Sequence, residues 1–288
     1  MLKNKLLVAA ALFYILFTLV FMIAMLNANS QEHSVLEREL AAQNKKLDDA
    51  QSRIDGLDKQ YADLQSKVAQ EQADREKLTK TAYLTFDDGP SSLTPQILDV
   101  LKAKGVTATF FVVGKDDQAD RAVLKRMVTE GDTVGIHSYT HVYSYIYKSE
   151  ANFLSDFEEC RDYITASTGV EPDIMRFPGG LNNTVCLKYG GHIMATLKAD
   201  VERMGVKPFD WNVVAGDANT TPPTTQTIVN NVVNGYKGRK NAVILCHDLA
   251  TYIPTLQALP EIIDKLRVMG FVFKTLSPSS PDVEFKPV

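Results

Sequence analysis

Cysteine is scarce: Cys160, Cys186 and Cys246 are too few and too unevenly spaced for a disulfide framework or a CxxC metal site. At most one bridge could form, and Cys160, inside a helical pattern, reads as a small buried hydrophobe. No GxGxxG or GxxxxGK[ST] follows any strand-like run, which argues against nucleotide binding. Basic blocks are missing too, and 31 Lys and Arg against 35 Asp and Glu leave a formal charge of −4, so nothing points to nucleic acid. From Gln31 to Thr79 there is no proline and one glycine, Gly56, so little interrupts a helix there.

What the chain does have begins at residues 6 to 26, LLVAAALFYILFTLVFMIAML, 21 consecutive positions without a charge. A helix of that length crosses a hydrocarbon core about 30 Å thick. Lys3 and Lys5 precede it and no basic residue follows before Arg38, so the pattern predicts a single-pass anchor, N-terminus cytoplasmic and the remainder extracellular. The rival is a cleaved signal peptide, but its apolar core is usually about 7–15 residues, and the stretch before Ala28 makes a poor small-x-small site. Next, Leu36, Leu40, Leu47, Ala50, Ile54, Leu57, Tyr61, Leu64, Val68 and Leu78 share one heptad register, interrupted by Gln43, Glu71 and Arg75. That pattern predicts a helical, coiled-coil stalk that pairs with a second copy; the alternative is one solvated amphipathic helix packed on the next domain. As a continuous helix, residues 31–79 would span roughly 70 Å.

After Thr81 short apolar runs alternate with helical segments: AYLTF, TPQILDVLKAKG, ATFFVVG, DRAVLKRMVTEG and DTVGIH lead the series. DIMRF, KPFDWNV, AVILCHD and FVFKTL continue it, with further helices between them. Apolar runs separated by amphipathic helices of about 10–15 residues imply parallel strands joined by right-handed crossovers. Seven or so strands in about 200 residues fit an α/β barrel, complete or incomplete, better than a doubly wound sheet. The organisation expected is therefore a tip and anchor at 1–30, a stalk at 31–79, a barrel at 80–280 and a tail at 281–288.

Functional groups of such barrels sit where strands end. Asp87 and Asp88 end the first strand, His137 and His141 follow the third, Arg176 closes DIMRF, Asp210 and Trp211 lie in KPFDWNV, and His247 and Asp248 end AVILC. Adjacent side chains on a regular strand point to opposite faces, so the paired acids of TFDDGP can converge only if the backbone bends there; Gly89 and Pro90 are the residues to bend it. Two histidines four residues apart plus one carboxylate form a three-ligand set that leaves a position open for water and substrate. A second, non-ligating acid beside it can take a proton from that water.

These strings, TFDDGP, HSYTH, RFPGG, the DW of PFDWNV and the LCH of ILCHD, resemble in order the five motifs of the NodB-homology polysaccharide deacetylases. Those are metal-dependent esterases that remove N-acetyl or O-acetyl groups from glycans. The resemblance covers roughly residues 80 to 278 and implies a distorted (β/α)7-type barrel. It further implies that Asp87 is the general base and that Asp88, His137 and His141 hold a divalent metal, zinc foremost, with Co2+ or another transition metal as alternatives. His247 becomes the general acid, Asp210 the carboxylate that keeps its imidazole charged and oriented, and Arg176 the partner of Asp87. Pro178, Gly179, Trp211 and Leu245 would border the substrate; ordinary core packing is the alternative for Trp211 and Leu245. In one respect the chain departs from the family pattern, which commonly carries an aromatic residue after the motif-three proline; here Gly179 and Gly180 follow it. With the anchor and stalk, the resemblance implies deacetylation of peptidoglycan N-acetylglucosamine. Another glycan (exopolysaccharide, chitooligosaccharide or acetylxylan) and an inactive wall-binding scaffold are the alternatives.

Overall fold

The computed structural model describes residues 2–25, 30–115, 117–218 and 223–288, without the side chains of 2–6, 24–25, 30–32 and 76–78. The chain divides into two units, Met1–Leu78 and Thr79–Val288.

The first unit holds α1 (Leu2–Met25) and α2 (Ser30–Leu78). Among the described residues no helix is long and apolar enough to cross a membrane. The apolar run 6–26 extends past the described side chains at both ends, so the predicted span lies partly outside them. The stretch predicted to be a stalk forms one uninterrupted helix, supported on its surface by i,i+4 contacts such as Gln51 to Asp55 at 2.9 Å and Lys67 to Asp63 at 2.7 Å. Its heptad stripe is used unevenly. Leu47 and Ile54, beside Val8, Ala11, Leu12 and Ile15 of α1, are half-buried, whereas Leu57, Tyr61, Leu64 and Val68 stand exposed. Leu78 lies outside the described side chains.

The second unit runs β1 (Lys80–Asp87), α3 (Thr94–Lys104), β2 (Thr109–Val113), α4 (Gln118–Glu130) and β3 (Thr133–Ser138). It continues α5 (Tyr143–Ile146), α6 (Glu150–Thr168), β4 (Ile174–Met175), a 3-10 turn at Val185–Lys188, α7 (Met194–Arg203), β5 (Lys207–Pro208), β6 (Val213–Val214), α8 (Thr225–Gly235), β7 (Asn241–His247), α9 (Ile253–Val268) and β8 (Phe271–Phe273). Helix ends follow local chemistry: Asp117 and Ser149 accept main-chain N–H groups at the starts of α4 and α6, and left-handed Gly105, Gly131 and Gly169 close α3, α4 and α6.

All strand pairings are parallel, in the order β5-β4-β3-β2-β1-β7-β6, with β8 on β1. The sheet curls without closing, because β5 and β6 occupy opposite edges. KPFDWNV was expected to be one strand and is instead split into these two short ones. Pro208 has no N–H to continue β5, and Asn212 joins β7 by donating its N–H to Val243 and its side-chain amide to Asn241. Alternation along each strand makes two cores. Ala82, Leu84, Phe86, Phe110, Val112, Ile244 and Cys246 pack outward against the helices, while Tyr83, Phe111, Ile174, Phe209, Val243 and Leu276 fill the curl. All three cysteines are buried and free. The segment expected to be a tail packs on the gap: Asp210 donates its N–H to Val283 at 2.7 Å, and Phe285 meets Trp211 edge to face at 5.0 Å.

Candidate active site

The inward face of β1 carries Tyr83, Thr85 and Asp87, so alternation alone aims Asp87 into the curl. The bend that redirects Asp88 begins at Asp88 itself, whose φ of 77° lies in the left-handed region. Gly89 is required next: a Cβ there would lie 2.0 Å from a carboxylate oxygen of Asp248. Asp248 is fully buried, accepts from Thr94 Oγ1 at 2.6 Å, and takes Ser91's hydroxyl on its main-chain oxygen, so it ties the loop after β1 to the end of β7. Burial, reinforced by Asp88 and Asp87 against the Thr94 hydrogen bond, pushes its carboxyl up to about 7.

His137 ends β3 on the inward face, with Nδ1 2.7 Å from the Arg176 carbonyl. A carbonyl only accepts, so Nδ1 carries a proton, and Nε2, the atom left to face a cation, lies 3.3 Å from Asp88 Oδ1. His141 Nε2 is also 3.3 Å from that oxygen. The residues between are shaped by Asp156 of α6, which accepts from Ser138 Oγ (2.6 Å), Tyr139 N (2.8 Å), Thr140 N (2.8 Å) and Thr140 Oγ1 (2.6 Å). Ser138 Oγ in turn accepts the His141 N–H at 2.8 Å, holding His141 at a φ of 53°. One donor atom from each of Asp88, His137 and His141 lies within 4.8 Å of the others. Although burial works against its charge, the hydrogen bond and charge of His137, with His141 and His247 beyond, hold Asp88 well below the usual carboxylate range. Burial opposes charge on His137 too, but Asp87 and Asp88 push it up, while burial and the charge of His137 hold His141 down, so the two acids favour one positive charge in the set. One carboxylate, two imidazoles and a field that attracts a cation fit a divalent metal.

Asp87 meets Arg176 Nη1 at 2.8 Å, and both are buried. Four of that guanidinium's five N–H groups are used: Nη1 also donates to Thr85 Oγ1, Nε to the Phe209 carbonyl and Nη2 to the Asp210 carbonyl, with the Phe111 ring 4.3 Å away. Breaking a buried pair of this kind costs about 3–5 kcal/mol.

His247 ends β7 on the inward face, and here the predicted partner is corrected. Asp217, in the loop after β6, takes His247 Nδ1 at 2.9 Å and the His247 N–H at 2.8 Å, and accepts from Thr255 Oγ1 at 3.0 Å. Asp210 makes no contact with the imidazole; its carboxylate accepts from Leu181 N and Phe285 N, which fastens the C-terminal segment. Burial works against charge on His247, but the hydrogen bond and charge of Asp217, then Asp87 and Asp88, push its pKa up to about 9.

A family model described as polysaccharide deacetylase matches residues 74–193. The peptidoglycan-N-acetylglucosamine deacetylase of Bacillus cereus is 32% identical over 203 residues, 69% of this chain and 70% of that protein. The family is thereby decided. This chain belongs to the polysaccharide deacetylases. The peptidoglycan-N-acetylmuramic acid deacetylase PdaC of Bacillus subtilis is 36% identical over 69% of this chain and 38% of its own length. Among solved structures, the catalytic domain of peptidoglycan N-acetylglucosamine deacetylase from Eubacterium rectale superposes with a TM-score of 0.69 at 39% identity, covering 72% of this chain and 93% of that one.

In this deacetylase the structure brings together Asp87, Asp88, His137, His141, Arg176 and His247, and leaves Asp210 outside the set. Pro178 is buried and its carbonyl is held by Tyr147 Oη at 2.7 Å and Asn183 Nδ2 at 3.0 Å, while Gly179 is exposed at the rim with a φ of 78°. Trp211 is half-buried, within 5.6 Å of the Arg176 guanidinium, and Leu245 lies on the His247 face of β7, two residues below it. Sequence reasoning missed Asp217, Asp156 and the tethering role of Asp248. The signal for Asp217 is GDA at 216–218, an acid beyond the end of β6; its neighbour string DW at 210–211 drew the assignment instead.

Proposed function

We propose that this deacetylase removes the N-acetyl group from N-acetylglucosamine of peptidoglycan, releasing acetate and leaving a free amine. Asp88, His137 and His141 would hold the divalent ion, with zinc the first candidate. When bound, such an ion acidifies water and polarises a carbonyl. Asp87 takes the proton of the attacking water, positioned and charge-balanced by Arg176. His247, kept protonated by Asp217, delivers its proton to the departing nitrogen. The observation that carries this reading is the convergence of an ion-paired carboxylate, a three-donor set and a histidine pushed up to about 9 at the strand ends of one curled sheet.

Topology supplies the choice of polymer. The charge-free run 6–26 supports an anchor with the catalytic unit outside the cell. Exposed Leu64 and Val68 support pairing of α2 with a second copy. The naming of similar proteins for peptidoglycan sugars supports the substrate. Acetate and free amine released from purified peptidoglycan, chitooligosaccharides and acetylxylan test it. Faster release from peptidoglycan is expected; equal or faster release from another glycan overturns the assignment.

A further inference from the structure

The ring missing after Pro178 is replaced from a different element. Tyr143, first residue of α5 and two positions past His141, stands edge-on to the His141 imidazole with ring centres 5.4 Å apart. Behind it lies Tyr147, edge to face at 5.6 Å, itself fully buried, stacked on Phe153 and hydrogen-bonded to the Pro178 carbonyl. The Tyr143 hydroxyl is 3.0 Å from the position a Cβ on Gly179 would occupy, so the space a side chain at 179 would claim is already filled. Gly179 is thus set by its positive φ and by this phenol together.

Two hydrogen-bond donors border that space. The Gly180 N–H closes a turn onto Phe177, whereas among the described residues neither the Gly179 N–H nor the Tyr143 hydroxyl has a protein acceptor. A half-buried phenol ordinarily finds a partner, and this one faces the rim beside the three-donor set. Hydrolysis of an acetamide concentrates negative charge on the acyl oxygen, and donors already in place around that oxygen lower the barrier.

We propose that Tyr143 is a catalytic residue whose hydroxyl donates a hydrogen bond to the acyl oxygen of the glycan's acetamide as charge develops there, alongside the Gly179 N–H. This inference rests on the deacetylase reading above, and the test separates the two. In the full chain, Tyr143→Phe removes one oxygen that has no protein partner, so the fold is expected to persist. With chitooligosaccharide and peptidoglycan as substrates, kcat should fall about 10²-fold, the loss typical of one such donor. KM should stay within about twofold, because the interaction strengthens only at the transition state. Affinity for Co2+ alone, read by titration, and the melting temperature should match those of the native chain. A kcat within about threefold of native overturns the proposal, as does a change confined to KM. So does a loss accompanied by weaker Co2+ binding or a lower melting temperature, which would show that Tyr143 acts by propping His141. Asp87→Asn provides the control: if it keeps activity, the deacetylase reading fails; if it is inactive while Tyr143→Phe is native-like, only the role of Tyr143 fails.

Discussion

Asp88, His137 and His141 reach one another from the ends of β1 and β3, strands separated only by β2, and each arrives within a short recognisable string. His247, on the other side of β1, depends instead on Asp217, 30 positions earlier, in a loop outside the five motif strings. The donor wall is local and the acid wall is assembled at a distance. Position on a strand decides where a side chain points, but a hydrogen-bond partner is decided by which loop comes within reach.

The largest expected effect probes the centre shared by both walls. Asp87→Asn should cut kcat by about 10²–10⁴-fold, the usual worth of a positioned base, while Co2+ affinity changes little; a mild loss would detach Asp87 from the chemistry. Next, the donor wall can be broken from behind. Asp156→Ala removes the acceptor of four hydrogen bonds that shape the 138–141 loop. Metal affinity should weaken about 10–100-fold by titration, although Asp156 touches neither imidazole. Unchanged affinity would mean that the loop holds itself.

The acid wall is sharpened by a pair of variants read as pH profiles. His247 is protonated below about 9 and neutral above it, so activity that uses its proton persists below that pH and declines as pH rises through it. Asp217→Asn removes the neutral-to-charged advantage, so the basic limb should move toward lower pH by about one to two units, with a reduced kcat. Asp210→Asn should leave the limb in place, and a limb that moves with Asp210 instead would restore the partner predicted from the DW string. The smallest effect is on stability: Asp210→Ala frees the Leu181 and Phe285 N–H groups and should cost about 1–3 kcal/mol in denaturant unfolding, reproduced in part by truncation before Val283.

Much of this was legible before any coordinates. TFDDGP announced a carboxylate pair at a strand end, HSYTH a histidine pair, and the alternation of short apolar runs with helices a parallel α/β sheet. The reading of KPFDWNV as one strand failed because a strand's neighbours are chosen by the whole sheet: its two halves pair with β4 and β7 on opposite edges. Asp248 shows the same limit, since its contact with Thr94 joins residues 154 positions apart. Tyr143 carried no signal in the sequence, because the space it fills lies beside Gly179, 36 positions away.

By itself the sequence determined the inward-facing chemistry: side chains alternate on every strand, so Asp87, His137 and His247 had to share one face once their strands were parallel and aligned. Only tertiary structure decided the supporting contacts, Asp217 on His247, Asp156 under the histidine loop and Asp248 against Gly89. Periodicity is a property of neighbours along the chain, whereas a buried acid takes whichever donors the packing of distant loops leaves within about 3 Å.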